Sequence, residues 1–176
     1  ARLDGVVISH GYANGALESG NGAGMHNFFS SPTVIRCVFQ GNHACFGEGD
    51  GRGGGLYLDQ SNSLVSHCVF VGNQAHTGGG LFAKRWQPTI TGCLFVGNTA
   101  FDGGGIALFP GSLCLIHSCT VCGNTATQHG GGILDADSEA ALTNSIVWAN
   151  SASIGSQIEL VFAPRGGSVS YSVVQG

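Results

Sequence analysis

Lys84-Arg85-Trp86 gathers in one tripeptide the side chains best suited to chemistry, and Lys84 is the only lysine in the chain. A lysine or arginine held in a way that lowers its proton affinity can act as a general base. An indole beside it can stack on a sugar ring. Asp59 precedes Lys84 by one period of the internal repeat described below, so the two fall on neighbouring turns of the backbone. Asp59, Lys84 and Arg85 thus form a candidate catalytic group, with Trp86 and Asp59 as candidate ligand contacts. The alternative is a surface salt bridge beside a half-buried tryptophan. A second candidate is Glu48 with Asp50 in Cys45-Phe46-Gly47-Glu48-Gly49-Asp50-Gly51-Arg52. Carboxylates among glycines suit Ca²⁺, but two are short of a full oxygen shell, and a solvated loop is the competing reading. A third is Asp102 with His129, one repeat apart, as an acid–base or metal pair, against the reading of a plain surface pair.

The elements that position these groups follow from repetition. Phe-x-Gly-Asn occurs at Phe39–Asn42, Phe70–Asn73 and Phe95–Asn98, then with Val at Val121–Asn124, and loosened at Val147–Asn150. Successive asparagines lie 31, 25, 26 and 26 residues apart. Glycine triplets keep step at Gly53–Gly55, Gly78–Gly80, Gly103–Gly105 and Gly130–Gly132. A constant period of this size marks a solenoid. Each period holds short Val/Ile/Leu/Phe runs between Gly, Asn and Ser, with no helical periodicity, so the runs read as strands. The expected fold is all-β: a right-handed parallel β-helix of about six to seven coils, three short strands per coil, forming one domain over residues 1–176. Cys37, Cys68, Cys93 and Cys119 recur in phase and are expected as a stack of buried thiols, with Phe39, Phe70 and Phe95 beside them. The asparagines are expected to form a ladder at a turn.

Gly-Gly-Gly-Leu/Ile together with Phe-x-Gly-Asn resembles the GGA(I/L/V) and FxxN repeats of chlamydial polymorphic outer membrane proteins. It is also similar to the wider right-handed parallel β-helix, pectate-lyase-like repeats of secreted bacterial proteins. The opening Leu3-Asp4-Gly5-Val6 and the closing segment Ser170–Gly176 look like the second group. The resemblance covers nearly the whole chain and implies a right-handed coil in an extracellular or cell-surface setting, associated with an outer membrane. Glycine at the third position of the GGA motif departs from it and reads as a mild change. Acidic polysaccharide lyases of this fold bind uronates with carboxylates or Ca²⁺ and abstract a proton with a basic residue. Asp59, Lys84 and Arg85 would fill those roles here.

Composition narrows the partners. Charged residues are 9% of the chain, against about 25% in a typical domain, and the net charge is −4. Six basic residues scattered over 176 make no stripe for nucleic acid. No apolar run is long enough for a membrane-spanning helix. The residues between the inward Cys and Phe positions face outward: Val38, Val69 and Leu94 in one row, Val71, Val96 and Trp148 in the next. Tyr57 and Phe82 are expected to repeat the theme on the first strand. Apolar rows of this kind on parallel strands call for a cover. The leading expectation is a non-enzymatic structural or interaction module, a scaffold, adhesin or assembly subunit, that contacts a protein partner or another copy through flat faces. It is expected to use no cofactor, Ca²⁺ apart. The alternative is a carbohydrate-active enzyme of the polysaccharide-lyase kind, or a carbohydrate-binding module, acting on acidic polysaccharide.

Overall fold

A computed structural model describes residues 1–15, 20–44, 51–161 and 167–175. These form an all-β solenoid in which every strand pair is parallel and each strand bonds its equivalents in the coils before and after. Each coil has four sides, one more than expected. In one coil the sides are Leu56–Asp59, Leu64–Ser66, Val69–Val71 and Gln74–Thr77. Stacking gives sheets of six, seven, seven and five strands, called here the first to fourth in that order. Four complete periods lie between Asn42 and Asn150, fewer than the six to seven coils expected, because the strands beyond them belong to partial coils that extend some sides and not others. The fourth side was hidden because Gln74–Thr77, Thr99–Asp102 and Thr125–His129 are mostly polar. Their inward residue is only alanine: Ala75, Ala100 and Ala126.

Each corner is made by a residue in the left-handed region. Around one coil these are Gln60 (φ 50), His67 (φ 53), Gly72 (φ 60) and Gly78 (φ 69). The glycine triplets serve the last corner in two ways. The first glycine supplies the positive φ. The second and third have no room for a side chain, because the next coil's backbone lies against them. A Cβ on Gly79 would sit 2.5 Å from the Gly104 carbonyl oxygen, and one on Gly80 would sit 2.6 Å from that of Gly105. Glycine at the third position is therefore a steric requirement in this chain, not a mild change.

The core is a set of vertical stacks. Leu56, Leu81, Ile106 and Ile133 are in register on the first sheet. Phe39, Phe70 and Phe95 lie ring on ring with centroids 4.7 and 4.6 Å apart, a distance imposed by the strand spacing. At the corner before the third sheet the cysteines stack as expected, and none of the six described cysteines is in a disulfide. They also have a task. The N–H of Cys37 donates to Cys68 Sγ at 3.5 Å, and that of Cys68 to Cys93 Sγ at 3.4 Å. Each sulfur donates in turn to a carbonyl two residues back, as Cys68 does to Ser66. Ser145 and Ser172 continue the ladder, their hydroxyls accepting the N–H groups of Cys119 and Ser145 at 3.1 Å. Hydrogen bonds to Cys119 and Cys68, and then burial, push the Cys93 thiol far up.

Candidate functional site

The first sheet brings Asp59, Lys84 and Arg85 together. Lys84 is the register partner of Asp59 on the next coil, and a bulge between Lys84 and Trp86 turns Arg85 back over it. The Asp59 side chain is fully buried. Arg85 Nε donates to its Oδ1 at 2.8 Å, and the terminal guanidinium nitrogen donates to Oδ2. Lys84 Nζ lies 3.2 Å from Oδ2, and the Tyr57 hydroxyl donates to the same oxygen at 3.4 Å. Both carboxylate oxygens are thus engaged by the chain's own donors, in the bidentate geometry that makes such pairs strong. The predicted catalytic residues meet each other rather than an open cleft.

Trp86 leaves this cluster on the outside. Arg85 and Trp86 take consecutive positive φ values of 56° and 66°, which is costly for bulky side chains. The strain carries the indole to the surface, 43% exposed, where it meets Phe29 edge-on at 6.4 Å. Phe28 packs edge-on against Phe29 at 4.5 Å, and both are at least half exposed. Sequence reasoning missed these two phenylalanines, because Phe28-Phe29 falls in a degenerate early coil. The register partnership of Phe28 with Asp59 is the signal that places them.

Tyr57 and Phe82 differ from expectation. They do point outward from the first sheet, but both are fully buried, as is Ala107, and Leu134 nearly so. The cover is local. The Arg52 guanidinium lies 5.4 Å above the Phe82 ring and 6.0 Å from that of Phe109, Lys84 Nζ lies 5.7 Å from the Tyr57 ring, and His26 meets Tyr57 edge-on. Cation–π contact and long aliphatic stems close this row, so it offers no interface.

Asp102 and His129 are register partners at the fourth-sheet corner. His129, however, pairs with Glu159, its Nδ1 lying 2.9 Å from the carboxylate. Glu159 was not singled out in the sequence because the strand that carries it lies past the last regular repeat. Asp102 Oδ1 is buried with no hydrogen-bond partner. Desolvation raises the Asp102 pKa above its usual 3.8, offset in part by His129 and His76. The folded chain therefore holds this proton more tightly than the unfolded chain does. Asp102 favours folding most below pH 3.8, and that advantage is lost as pH rises through its folded pKa. Asp102→Asn is expected to match the parent chain in acid and to exceed it at neutral pH in urea midpoint. An equal or lower midpoint at pH 7 counts against the account.

The third sheet carries the remaining predicted interface. Val7, Val38, Val69, Leu94, Thr120, Ile146 and Val173 are in register along one outward row. Ser9, Gln40, Val71, Val96, Cys122 and Trp148 form the next. The middle residues are half-buried by their ladder neighbours. Val7 is 65% exposed, Ile146 46%, Trp148 50% and Val173 57%. Neither row contains a charged residue.

Glu48 and Asp50 lie outside the described residues. Among the described residues no group of three or more His, Cys, Asp or Glu is placed to hold a metal ion. Among the described residues no helix is long and apolar enough to cross a membrane.

With this architecture in place, comparison with known proteins identifies a family. The family described as "Right handed beta helix region" matches residues 2–147, most of the chain, and the protein belongs to that family. No curated protein and no solved structure matches it.

Proposed function

We propose that this chain is a non-enzymatic interaction module that works as a scaffold, adhesin or assembly subunit through the outer face of its third sheet. The observation that carries this reading is the pair of uncharged, largely apolar rows from Val7 to Val173, which no other side of the solenoid covers among the described residues. A soluble surface seldom leaves such a strip bare. The self-neutralised Asp59 cluster supports the same reading, since its charges are spent on the fold. The resemblance to repeats of polymorphic outer membrane proteins and of secreted pectate-lyase-like proteins favours an extracellular or cell-surface location. In material from the native source, native mass spectrometry is expected to find a particle heavier than the chain, and Val96→Glu is expected to reduce its mass while circular dichroism is unchanged. A V96E particle of undiminished mass would make the face idle.

A second reading rests on the exposed Phe28, Phe29 and Trp86 group beside Lys84 and Arg85. Aromatic faces next to a basic pair suit an acidic polysaccharide, bound or cleaved. Indole fluorescence is then expected to shift with pectate or alginate and to stop responding in Trp86→Ala. Absorbance from unsaturated uronate ends, lost in Lys84→Ala, would add lyase activity. Silence in both assays across acidic glycans removes this reading.

A further inference from the structure

We infer that the occupant of the third-sheet face is a second copy of the same chain, packed face to face about a two-fold axis. The inference rests on the interaction reading above and names its partner.

Charge is the first argument. A strip with no ionisable Asp, Glu, Lys or Arg offers nothing to a charged partner, but it is complementary to itself. Shape is the second. The outer row runs Ser9, Gln40, Val71, Val96, Cys122, Trp148. A two-fold axis between Val71 and Val96 sets Val71 of one copy against Val96 of the other. The same axis places Trp148, the one large ring of the row, over Ser9, its smallest side chain, and Gln40 over Cys122. Isologous interfaces need this self-pairing of a patch with itself. The parallel row obeys the same axis, since it sets Val69 against Leu94 and Val7 against Ile146.

Area is the third. Six strands at about 4.8 Å cover about 29 Å along the solenoid, and one side of the coil is about 16 Å across. Two such faces, with side-chain relief included, bury on the order of 1,000 Å², the lower bound for specific association. An interface of this size places the dimer among weak, reversible associations.

The test uses the purified 176-residue chain in sedimentation equilibrium from about 1 to about 100 µM. A monomer–dimer equilibrium is expected. Val96→Glu weakens it at least tenfold, and V71K/V96E restores it, because the introduced charges then meet across the axis. Ser9→Trp is the sharper probe. It makes the face more apolar, so indiscriminate adhesion would strengthen, whereas the two-fold register sets two indoles in collision and weakens the dimer. S9W/W148A relieves the collision. Cys122 supplies an internal signal: it is the only described thiol that is not buried, and its alkylation should slow as the dimer forms. A chain that stays monomeric throughout, or an S9W variant that associates more tightly, overturns the second-copy inference. The interaction reading is judged separately, by the particle mass from the native source: a heavier particle that V96E dissolves keeps that reading even when the purified chain is monomeric.

Discussion

Asn98→Ala is expected to destabilise the chain by roughly 3–5 kcal/mol, one of the two largest effects expected in the fold. Asn98 is fully buried at the corner between the third and fourth sheets. Its Oδ1 accepts both the backbone N–H and the side-chain amide of Asn73, at 3.0 and 2.9 Å. Its Nδ2 donates to the Phe70 carbonyl and to Asn124 Oδ1, both at 2.9 Å. Truncation removes four hydrogen bonds: the Asn73 backbone N–H loses its acceptor and the Phe70 carbonyl loses the Asn98 amide, while the Asn73 amide keeps Phe39 and Asn124 Oδ1 keeps the Asn98 backbone N–H, in a place water cannot reach without opening the corner. Each stranded buried group costs about 1–3 kcal/mol, and the losses are not fully additive. A second signature follows from the quasi-one-dimensional build, in which each coil is held only by its neighbours. Breaking the ladder in the middle uncouples its halves, so the urea transition should also broaden. A loss below about 1 kcal/mol with an unchanged slope would mean that the ladder is a by-product of packing rather than a support.

The other large effect separates a structural ion cluster from a catalytic one. K84M/R85M keeps most of the aliphatic bulk and removes both cations. Asp59, with no exposed surface, is left charged and unpaired, and the expected cost is about 3–5 kcal/mol. Adding Asp59→Leu removes the orphaned charge, and the triple variant is expected to recover most of that loss, because a well-packed apolar replacement of a buried ion cluster is often neutral. Chemical denaturation of the three chains reads both steps. A triple variant as weak as the double would mean that the cluster holds the bulge itself in place.

What could be read from the sequence depended on which contacts repeat with the period. The asparagine ladder, the phenylalanine and cysteine stacks and the coil register were all visible because each repeats an uncommon residue type in phase. The fourth side was invisible for the opposite reason. Ala75, Ala100 and Ala126 mark it inward, and alanine carries too little contrast against polar neighbours to announce a strand. The meeting of Asp59 with Lys84 and Arg85 was legible from alignment alone. That the three would neutralise one another was not, since it depends on a one-residue bulge after Lys84. Outward direction was read correctly for Tyr57 and Phe82 from strand alternation. Their burial comes from Arg52 and Lys84 reaching over from neighbouring coils, and alternation says nothing about how far a long side chain reaches. The Cys122 and Trp148 row had no such long neighbours, so there direction and exposure agree.

The four left-handed corners have a consequence for how this chain can change in length. Every coil returns to the same starting direction only after its four bends, and every ladder reaches only one coil up or down. Loss of one residue within a strand turns that side inside out. Loss of a whole period, such as the 26 residues that separate Asn98 from Asn124, would bring like against like and leave every ladder continuous. Length in this fold is therefore counted in turns rather than in residues. Duplication or excision of whole turns is the change it accepts most readily, and the height of any surface it presents can be reset without redesigning a single coil.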